Sequence, residues 1–210
     1  MWPPEALEFL RDLEDNNDRD WFRANRSRYD SYVVEPAREL AEKLSHLGRP
    51  RFFRPYNDTR FHMRPPIKEQ LGVAIGFEKA GGYYFELSLD GLLVGAGMYH
   101  PASDQLDRFR RAIDDGRRAA TFERAVATAR KARLELVEPE LTRAPRGYPA
   151  DHPRIDRLRL KRMTLFRRHE LGPWLHRPAC DKRVRDELDA ARPFVAWLRK
   201  HVGASEQAAR

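Results

Sequence analysis

The sequence contains a single cysteine, Cys180, among 210 residues. One cysteine excludes an intrachain disulfide framework and any zinc or iron–sulfur site built from several cysteines. Long apolar runs are also missing, because stretches 71–77 and 92–98 are far shorter than the ~18 residues of a membrane-spanning helix. The first residues do not join a basic segment to an apolar one, so no secretion signal is predicted. The expected protein is cytoplasmic, with no membrane partner and no cysteine-based cofactor.

Lysine is scarce as well, since only seven of the 40 basic residues are lysines and the rest are arginines. Such a bias is typical of GC-rich coding. The formal net charge is +8, and residues 143–168 carry most of it, with nine cations and two acids. A local excess of positive charge attracts phosphates and carboxylates. A solvated arginine-rich face explains the same pattern equally well, so both interpretations stay open.

Aromatic residues are plentiful, with 4 Trp, 7 Tyr and 11 Phe, and they supply the large buriable surfaces that disordered chains lack. At this length the expectation is one domain over residues 1–203, followed by a frayed tail at 204–210. Helical spacing occurs at both ends of the chain, whereas the middle shows the period of strands. Pro36 is expected to interrupt the N-terminal helices, and segment 49–66 has no clear period.

The strand-like stretches 83–89 and 92–99 flank Asp90-Gly91, which predicts a hairpin whose two turn residues both have positive φ. Strands bracketed by helices indicate an α+β domain with a mostly antiparallel central sheet, on which the N- and C-terminal helices pack. Gly95-Ala96-Gly97 has almost no side chain, so something must approach the backbone there, and a packed helix is favoured over a ligand. Large apolar residues on the inward faces are expected in the core: Trp21, Phe85, Leu87, Phe109 and Trp197.

A series of motifs resembles an uncharacterised family known as domain of unknown function 2461. They occur in the family's order: Asn16-Asn17-Asp18-Arg19-Asp20-Trp21-Phe22, Asn25, Tyr29, Pro36, Arg54, Tyr56, Asp58, Arg60-Phe61, Lys68, Gly82-Tyr83-Tyr84, Gly95-Ala96-Gly97, Ala144-Pro145-Arg146-Gly147-Tyr148, Asp151-His152-Pro153, Leu160-Lys161 and Pro193-Phe194-Val195-Ala196-Trp197-Leu198. The resemblance covers about residues 5–199 and implies one domain without an established activity or cofactor.

The loop from Asn57 to Lys68 departs from the family pattern. The family has an Arg-Asp pair before its Arg-Phe and a Ser-x-Asp-Lys-x-Pro-Tyr-Lys run after it. Here the pair is Asn57-Asp58, and the run reads His62-Met63-Arg64-Pro65-Pro66-Ile67-Lys68, one residue shorter. If the family acts through this loop, this member is altered or inactive.

Two polar, irregular segments carry the residues that chemistry would need. Arginine offers a planar fork to a phosphate or carboxylate, and lysine adds a point charge. Five residues are predicted to line one ligand-binding pocket: Arg60, Lys68, Tyr84, Arg146 and Lys161. Asp58 and His152 are the catalytic candidates, since either side chain can take up a proton. The structural alternatives are an Asp58–Arg60 ion pair that fixes the loop, and an Asp151-His152-Pro153 cap on the following segment.

No motif for a particular reaction is present, so whether the protein is an enzyme stays open. The histidines lack the paired spacing of metal sites, and no cofactor is expected. Cys180 lies near a predicted helix start, where a thiolate is stabilised, but a small buried side chain is the more usual role. The best interpretation is a basic pocket for an anionic small molecule bearing phosphate or carboxylate. The alternative is a protein that binds nucleic acid or an acidic partner through residues 143–168.

Overall fold

A computed structural model describes residues 1–58, 64–77 and 80–207. Within these ranges the strands are β1 Pro50–Phe52, β2 Gln70–Ile75, β3 Gly82–Ser88, β4 Gly91–Met98, β5 Glu135–Leu136 and β6 Met163–His169. They form a six-stranded antiparallel sheet of order β1-β2-β3-β4-β6-β5, with helices before, between and after the strands. The predicted α+β class is therefore confirmed.

The helices concentrate at the two ends of the chain and after β4. Their bounds are α1 Pro4–Asp15, α2 Arg19–Ala24, α3 Arg26–Tyr29, α4 Glu35–Lys43, α5 Ser103–Asp114, α6 Gly116–Lys131, α7 Ile155–Leu158, α8 Ala179–Ala190 and α9 Arg192–His201. Two short 3₁₀ turns cover Ser45–Leu47 and Pro173–His176.

The N-terminal helices begin where their sequence signals predict. Pro4 occupies the first turn of α1, where its missing N–H costs nothing. Asp18 caps α2, and its carboxylate accepts hydrogen bonds of 2.8 Å from the backbone N–H groups of Asp20 and Trp21. The helix is not broken before Pro36 but widens into a π-turn, Asp30–Val34, before α4. A widened turn accommodates the proline, which has no N–H to donate and a ring that crowds the preceding turn.

The chain folds into two compact units. The first comprises Met1–Gly76, Tyr84–Val94 and Arg168–Arg185, and the second comprises Phe77–Tyr83, Gly95–Arg167 and Asp186–Arg210. The two stretches that are richest in candidate site residues therefore belong to different units, and each unit has a core of its own.

The core of the first unit is built around Trp2 and the inward face of β3. Phe85 and Leu87 are fully buried, as predicted, and the Trp2 ring meets Phe85 edge to face at 6.1 Å between centroids. The Trp2 indole N–H donates to the carbonyl oxygen of Val33 at 3.1 Å, so this buried polar group is satisfied. Trp21, which the spacing also predicts in the core, is only half-buried, since its ring lies at the edge of the cluster, 5.8 Å from Phe9.

The core of the second unit is an aromatic cluster between α5, α6 and α9. Phe109 is fully buried and Trp197 is 5% exposed, which confirms both predictions. The centroids of Phe122 and Trp197 are 4.9 Å apart, and those of Phe109 and Phe122 are 5.6 Å apart. The Trp197 indole N–H donates to the Thr121 hydroxyl at 2.9 Å and to the Arg118 carbonyl at 3.1 Å.

The hairpin between β3 and β4 is present, but its turn differs from the prediction. The two turn residues are Leu89 and Asp90, whereas Gly91 is already the first residue of β4. Of these three residues only Gly91 has positive φ, at 127°. A side chain at Gly91 would overlap the carbonyl oxygen of His169, so glycine is required there by the neighbouring strand rather than by the turn.

Strand β6, rather than a helix, makes the closest approach to the bare backbone of β4. A Cβ on Gly95 would lie 3.0 Å from the carbonyl oxygen of Leu165. A Cβ on Gly97 would overlap the carbonyl oxygen of Met163 and would lie 3.0 Å from the Phe194 ring of α9. The helix favoured from sequence therefore contributes one ring, and the strand contributes the backbone contacts.

The described part of the C-terminal tail is attached to the start of α5. Ser205 donates to the Asp104 carboxylate at 2.9 Å, and the backbone N–H of Glu206 donates to it at 2.8 Å. These bonds, with the Arg108 guanidinium nearby, outweigh the desolvation of Asp104 and lower its pKa. Residues 204–207 thus have partners in the second unit.

Candidate functional site

The predicted site residues fall into two groups, one in each unit. Asp58, Lys68 and Tyr84 belong to the first unit, whereas Arg146, His152 and Lys161 belong to the second. Arg60 lies outside the described residues, as does the Asp58–Arg60 ion pair that was its structural alternative. The single pocket that the sequence predicts across both stretches stays a prediction, so each group is described by itself.

Most of the cations in residues 143–168 lie near a carboxylate, although two of the pairs are as long as 3.9 Å. Five of the nine form ion pairs with carboxylates, at N–O distances from 2.7 to 3.9 Å: Arg157 with Glu123, Arg159 with Asp156, Arg162 with Glu140, Arg167 with Glu187, and Arg168 with Glu86. Arg154 instead donates to the carbonyl oxygens of Ile113 and Asp114, both at 2.6 Å. The stretch therefore carries much less free charge than its composition suggests.

Three exposed cations remain in this stretch. Arg143, Arg146 and Lys161 have no hydrogen-bond or ion-pair partner among the residues that the structure describes. Arg146 and Lys161 are two of the five predicted ligand-binding residues. No described carboxylate offsets their positive charge, whereas carboxylates lie next to five of the other cations.

Lys161 lines a groove of about 510 Å³ in the second unit. This groove, the Lys161 groove, is formed mainly by Tyr99, His100, Arg110, Glu140, Lys161 and Arg162. Its lining includes three basic side chains, Arg110, Lys161 and Arg162, and one carboxylate, Glu140. Lys161 is thus a predicted residue that lines a concave surface with an excess of basic side chains.

The two arginines of the Lys161 groove are held in place. Arg162 donates to Glu140 at 2.7 Å, and this hydrogen bond raises the pKa of the guanidinium. The same guanidinium lies 5.0 Å from the centroid of the Tyr99 ring. Arg110 donates to the carbonyl oxygen of Leu158 at 3.3 Å. Each arginine keeps further N–H donors, because a guanidinium has five.

Flat groups lie at the mouth of the same groove. Tyr99 is 52% exposed, and its ring contacts the His100 ring at 4.5 Å between centroids. Exposed aromatic faces beside cations suit a ligand that combines a planar group with negative charge.

In the first unit, Lys68 and Tyr84 are brought together around Phe53. The Lys68 ammonium lies 5.9 Å from the centroid of the Phe53 ring, and the Tyr84 ring lies 6.1 Å from it. Lys68 also donates to the carbonyl oxygen of Arg54 at 3.0 Å. Burial, together with the charge of Arg54, lowers the pKa of Lys68.

Glu86 is the residue of this cluster that the sequence did not reveal. It is 8% exposed, and its carboxylate accepts hydrogen bonds from the Tyr84 hydroxyl at 2.6 Å and from the Gln70 amide at 2.9 Å. The Arg168 guanidinium lies 3.9 Å away. The alternation along β3 predicts that Tyr84 and Glu86 share one face of the strand. The other partners of Glu86, Gln70 and Arg168, come from β2 and β6, so spacing along β3 does not predict them.

His152 has a partner for each ring nitrogen. Its Nδ1 accepts the backbone N–H of Arg154 at 3.1 Å, so Nε2 carries the proton and donates to the Asp114 carboxylate at 3.1 Å. This arrangement supports the structural alternative, a cap on the following turn. Asp58, the other catalytic candidate, is exposed.

Cys180 is fully buried in the first turn of α8, and burial raises the pKa of its thiol to about 11. At pH 8 only about one thiol in a thousand is then ionised. A thiol-modifying reagent in solution cannot reach the buried sulfur. We therefore expect Ellman's reagent to label the native protein over hours and the protein in 6 M guanidinium chloride within minutes. Rapid labelling of the native protein would show that the thiol is accessible and reactive.

In the ranges that the structure describes, no three side chains of His, Cys, Asp or Glu form a group suited to a metal ion. Across the same ranges, no helix combines the length and the apolar character that spanning a bilayer requires.

The fold is of the α+β class, with a basic groove in the second unit and a cluster of polar and aromatic side chains in the first. The family of this protein follows from comparison with known proteins, since the sequence profile of DUF2461, described as "Conserved hypothetical protein", matches residues 5–197. The chain belongs to this family. No curated protein and no solved structure matches it significantly.

Proposed function

We propose that the protein binds an anionic small molecule, bearing phosphate or carboxylate, in the Lys161 groove. The observation that carries this proposal is that Lys161 lines a concave site together with two fixed arginines, and that its ammonium has no described partner.

Charge balance supports an anionic occupant. Like charges in a partly enclosed space repel one another unless acids or a bound anion offset them. Glu140 offsets Arg162, and Asp107, at 3.9 Å, offsets Arg110 only weakly because it is 65% exposed. Lys161 then has the surplus charge, and the remaining N–H donors of Arg110 and Arg162 can complete the contacts to anionic oxygens.

The alternative occupants have less support. Nucleic acid or an acidic partner on residues 143–168 was inferred from charge alone, and five of those nine cations already have acidic partners. A small anion needs only one groove and one cation without a described partner, Lys161, so it fits the remaining positive charge better.

The proposal predicts that phosphate stabilises the folded protein more than chloride does at matched ionic strength. An anion present at ten times its dissociation constant adds about 1.4 kcal/mol, which raises the Tm by about 3–6 °C for a chain of this size. Lys161→Ala should abolish the difference between the two salts. Differential scanning fluorimetry measures both values.

Lys131→Ala is the matched control, because it removes an exposed lysine at the end of α6, away from the groove lining. Phosphate and sulfate also stabilise proteins generally through exclusion from their surface, so the comparison of variants is decisive. Equal responses of wild type, Lys161→Ala and Lys131→Ala would contradict the proposal.

A further inference from the structure

Segment 49–56 of the first unit alternates cations and rings, and it includes the edge strand of the sheet. Its sequence is Arg-Pro-Arg-Phe-Phe-Arg-Pro-Tyr, and β1, Pro50–Phe52, pairs on one side only, with β2. Together with Lys68 it forms the Phe53 surface, which consists of Arg49, Arg51, Phe53, Arg54, Tyr56 and Lys68. All of it belongs to the first unit and none of it to the Lys161 groove.

Two rings of the Phe53 surface are exposed although they are firmly held. Phe53 is 40% exposed and Tyr56 is 41% exposed. The Tyr56 ring packs edge to face on the buried Phe22 at 5.8 Å, and the backbone of Tyr56 bridges to Ile67. Phe53 is held by Tyr84 and by its backbone N–H, which donates to the carbonyl oxygen of Gly72 at 3.1 Å. A fixed, exposed ring offers a stacking face at low entropic cost.

Glycine at position 72 keeps this face open. A Cβ there would overlap the Tyr84 hydroxyl and would lie 3.2 Å from the Phe53 ring. The missing side chain at residue 72 therefore leaves room for the Tyr84 hydroxyl beside the Phe53 ring, and the two rings meet edge to face at 6.1 Å between centroids.

The cations of the Phe53 surface have no acidic partner in the described ranges 1–58, 64–77 and 80–207. Arg49, Arg51 and Arg54 form no ion pair with any carboxylate that the structure describes. The Arg51 guanidinium and the Lys68 ammonium each lie 5.9 Å from the Phe53 centroid. Glu86, the partner of Tyr84, is buried and already accepts two hydrogen bonds. The exposed rings are thus flanked by free positive charge.

We infer that the Phe53 surface binds single-stranded nucleic acid. Unpaired bases stack on exposed aromatic rings, and phosphates pair with neighbouring cations, without need of a motif for reading sequence. Arg51, Arg54 and Lys68 would contact phosphates, while Phe53 and Tyr56 would each stack one base.

Two other occupants fit this surface less well. A duplex hides its base faces, so it would use the cations but not the rings. A peptide that extended the sheet would need the backbone of β1, which has only three residues, contains Pro50 and is soon followed by Pro55. An unpaired strand of nucleic acid uses both the rings and the charges.

Fluorescence anisotropy with a labelled 12-nucleotide oligo(U) and the full chain tests the inference. Phe53→Leu keeps an apolar side chain but removes the ring, and we expect it to weaken binding by about 5- to 100-fold. Arg51→Gln with Arg54→Gln should make the negative slope of log K against log salt shallower by about 1.4, because each lost phosphate contact removes about 0.7 from its magnitude.

Matched controls separate this site from general charge effects and from the Lys161 groove. Arg23→Gln removes an arginine that is 78% exposed elsewhere in the first unit, and it should bind like wild type. Lys161→Ala should also bind like wild type, even though it abolishes the phosphate response of the groove. Circular dichroism and Tm establish that each variant is folded.

Each of the following results would overturn the inference. The first is no binding of oligo(U) at low salt, and the second is equal binding by wild type and folded Phe53→Leu. The third is competition by duplex DNA or poly-glutamate as strong as that by unlabelled oligo(U), which would indicate a general polyanion or an acidic protein partner. Loss of binding in Lys161→Ala alone would place the nucleic acid in the other unit.

Discussion

Replacing Gly97 with alanine is expected to lower the free energy of unfolding by about 3–5 kcal/mol. The substitution adds only one methyl group. Gly97 has a φ of 125°, which disfavours any other residue, and its Cβ would overlap the carbonyl oxygen of Met163 on β6. Relief would require β4 and β6 to separate, and the Phe194 ring, 3.0 Å from the same position, blocks movement away from the strand.

Gly116→Ala is the matched control for this substitution. Gly116 is the first residue of α6, has no positive φ, and has nothing within 4 Å of an added Cβ. Alanine there should be neutral or should stabilise the protein by up to about 1 kcal/mol. Urea unfolding followed by tryptophan fluorescence compares the two midpoints. Equal midpoints would show that β4 and β6 are not packed in this way.

Arg167→Met is expected to lower the free energy of unfolding by about 2–4 kcal/mol. Arg167 donates to Glu187 at 2.7 Å, and Glu187 is only 4% exposed. Removing the cation takes a charge-assisted hydrogen bond of 2.7 Å from a carboxylate that water barely reaches. Glu187→Gln in the same chain should recover part of the loss, because the neutral amide has a smaller desolvation cost.

A surface pair provides the contrast. Arg23 and Asp20 are 3.0 Å apart, but their side chains are 78% and 87% exposed. Arg23→Met should therefore change stability by less than about 0.5 kcal/mol. If denaturant unfolding gave equal losses for Arg167→Met and Arg23→Met, the burial of Glu187 would not determine the strength of its pair.

The elements that were predicted from sequence are those whose signal is local. The alternation of Phe85 and Leu87 with polar neighbours identified β3 and its buried face, and Asp18 marked the start of α2. Strand β1 was missed because it has three residues, includes a proline and depends on pairing with β2. The glycines of β4 correctly predicted that another element packs close to the backbone there. The sequence does not indicate that this element is β6.

The candidate sites were predicted less completely, because charge in a folded protein depends on partners far away in sequence. Arg157 and Arg162 counted toward a basic stretch, yet Glu123 and Glu140 neutralise them. Lys161 differs because Glu140, the acid in its groove, pairs with Arg162 instead. Likewise Glu86, with its Tyr84 partner, is a buried polar centre that spacing along one strand does not reveal.

The proposal of an anion site in the Lys161 groove is tested most directly by locating an anion there. Crystals soaked in selenate, whose anomalous scattering identifies its position, should show the ion within hydrogen-bond distance of the Lys161 ammonium. Crystals of Lys161→Ala should lack that peak while keeping the groove intact. A groove without selenate in wild-type crystals, or a peak that persists unchanged in Lys161→Ala, would contradict the proposed function.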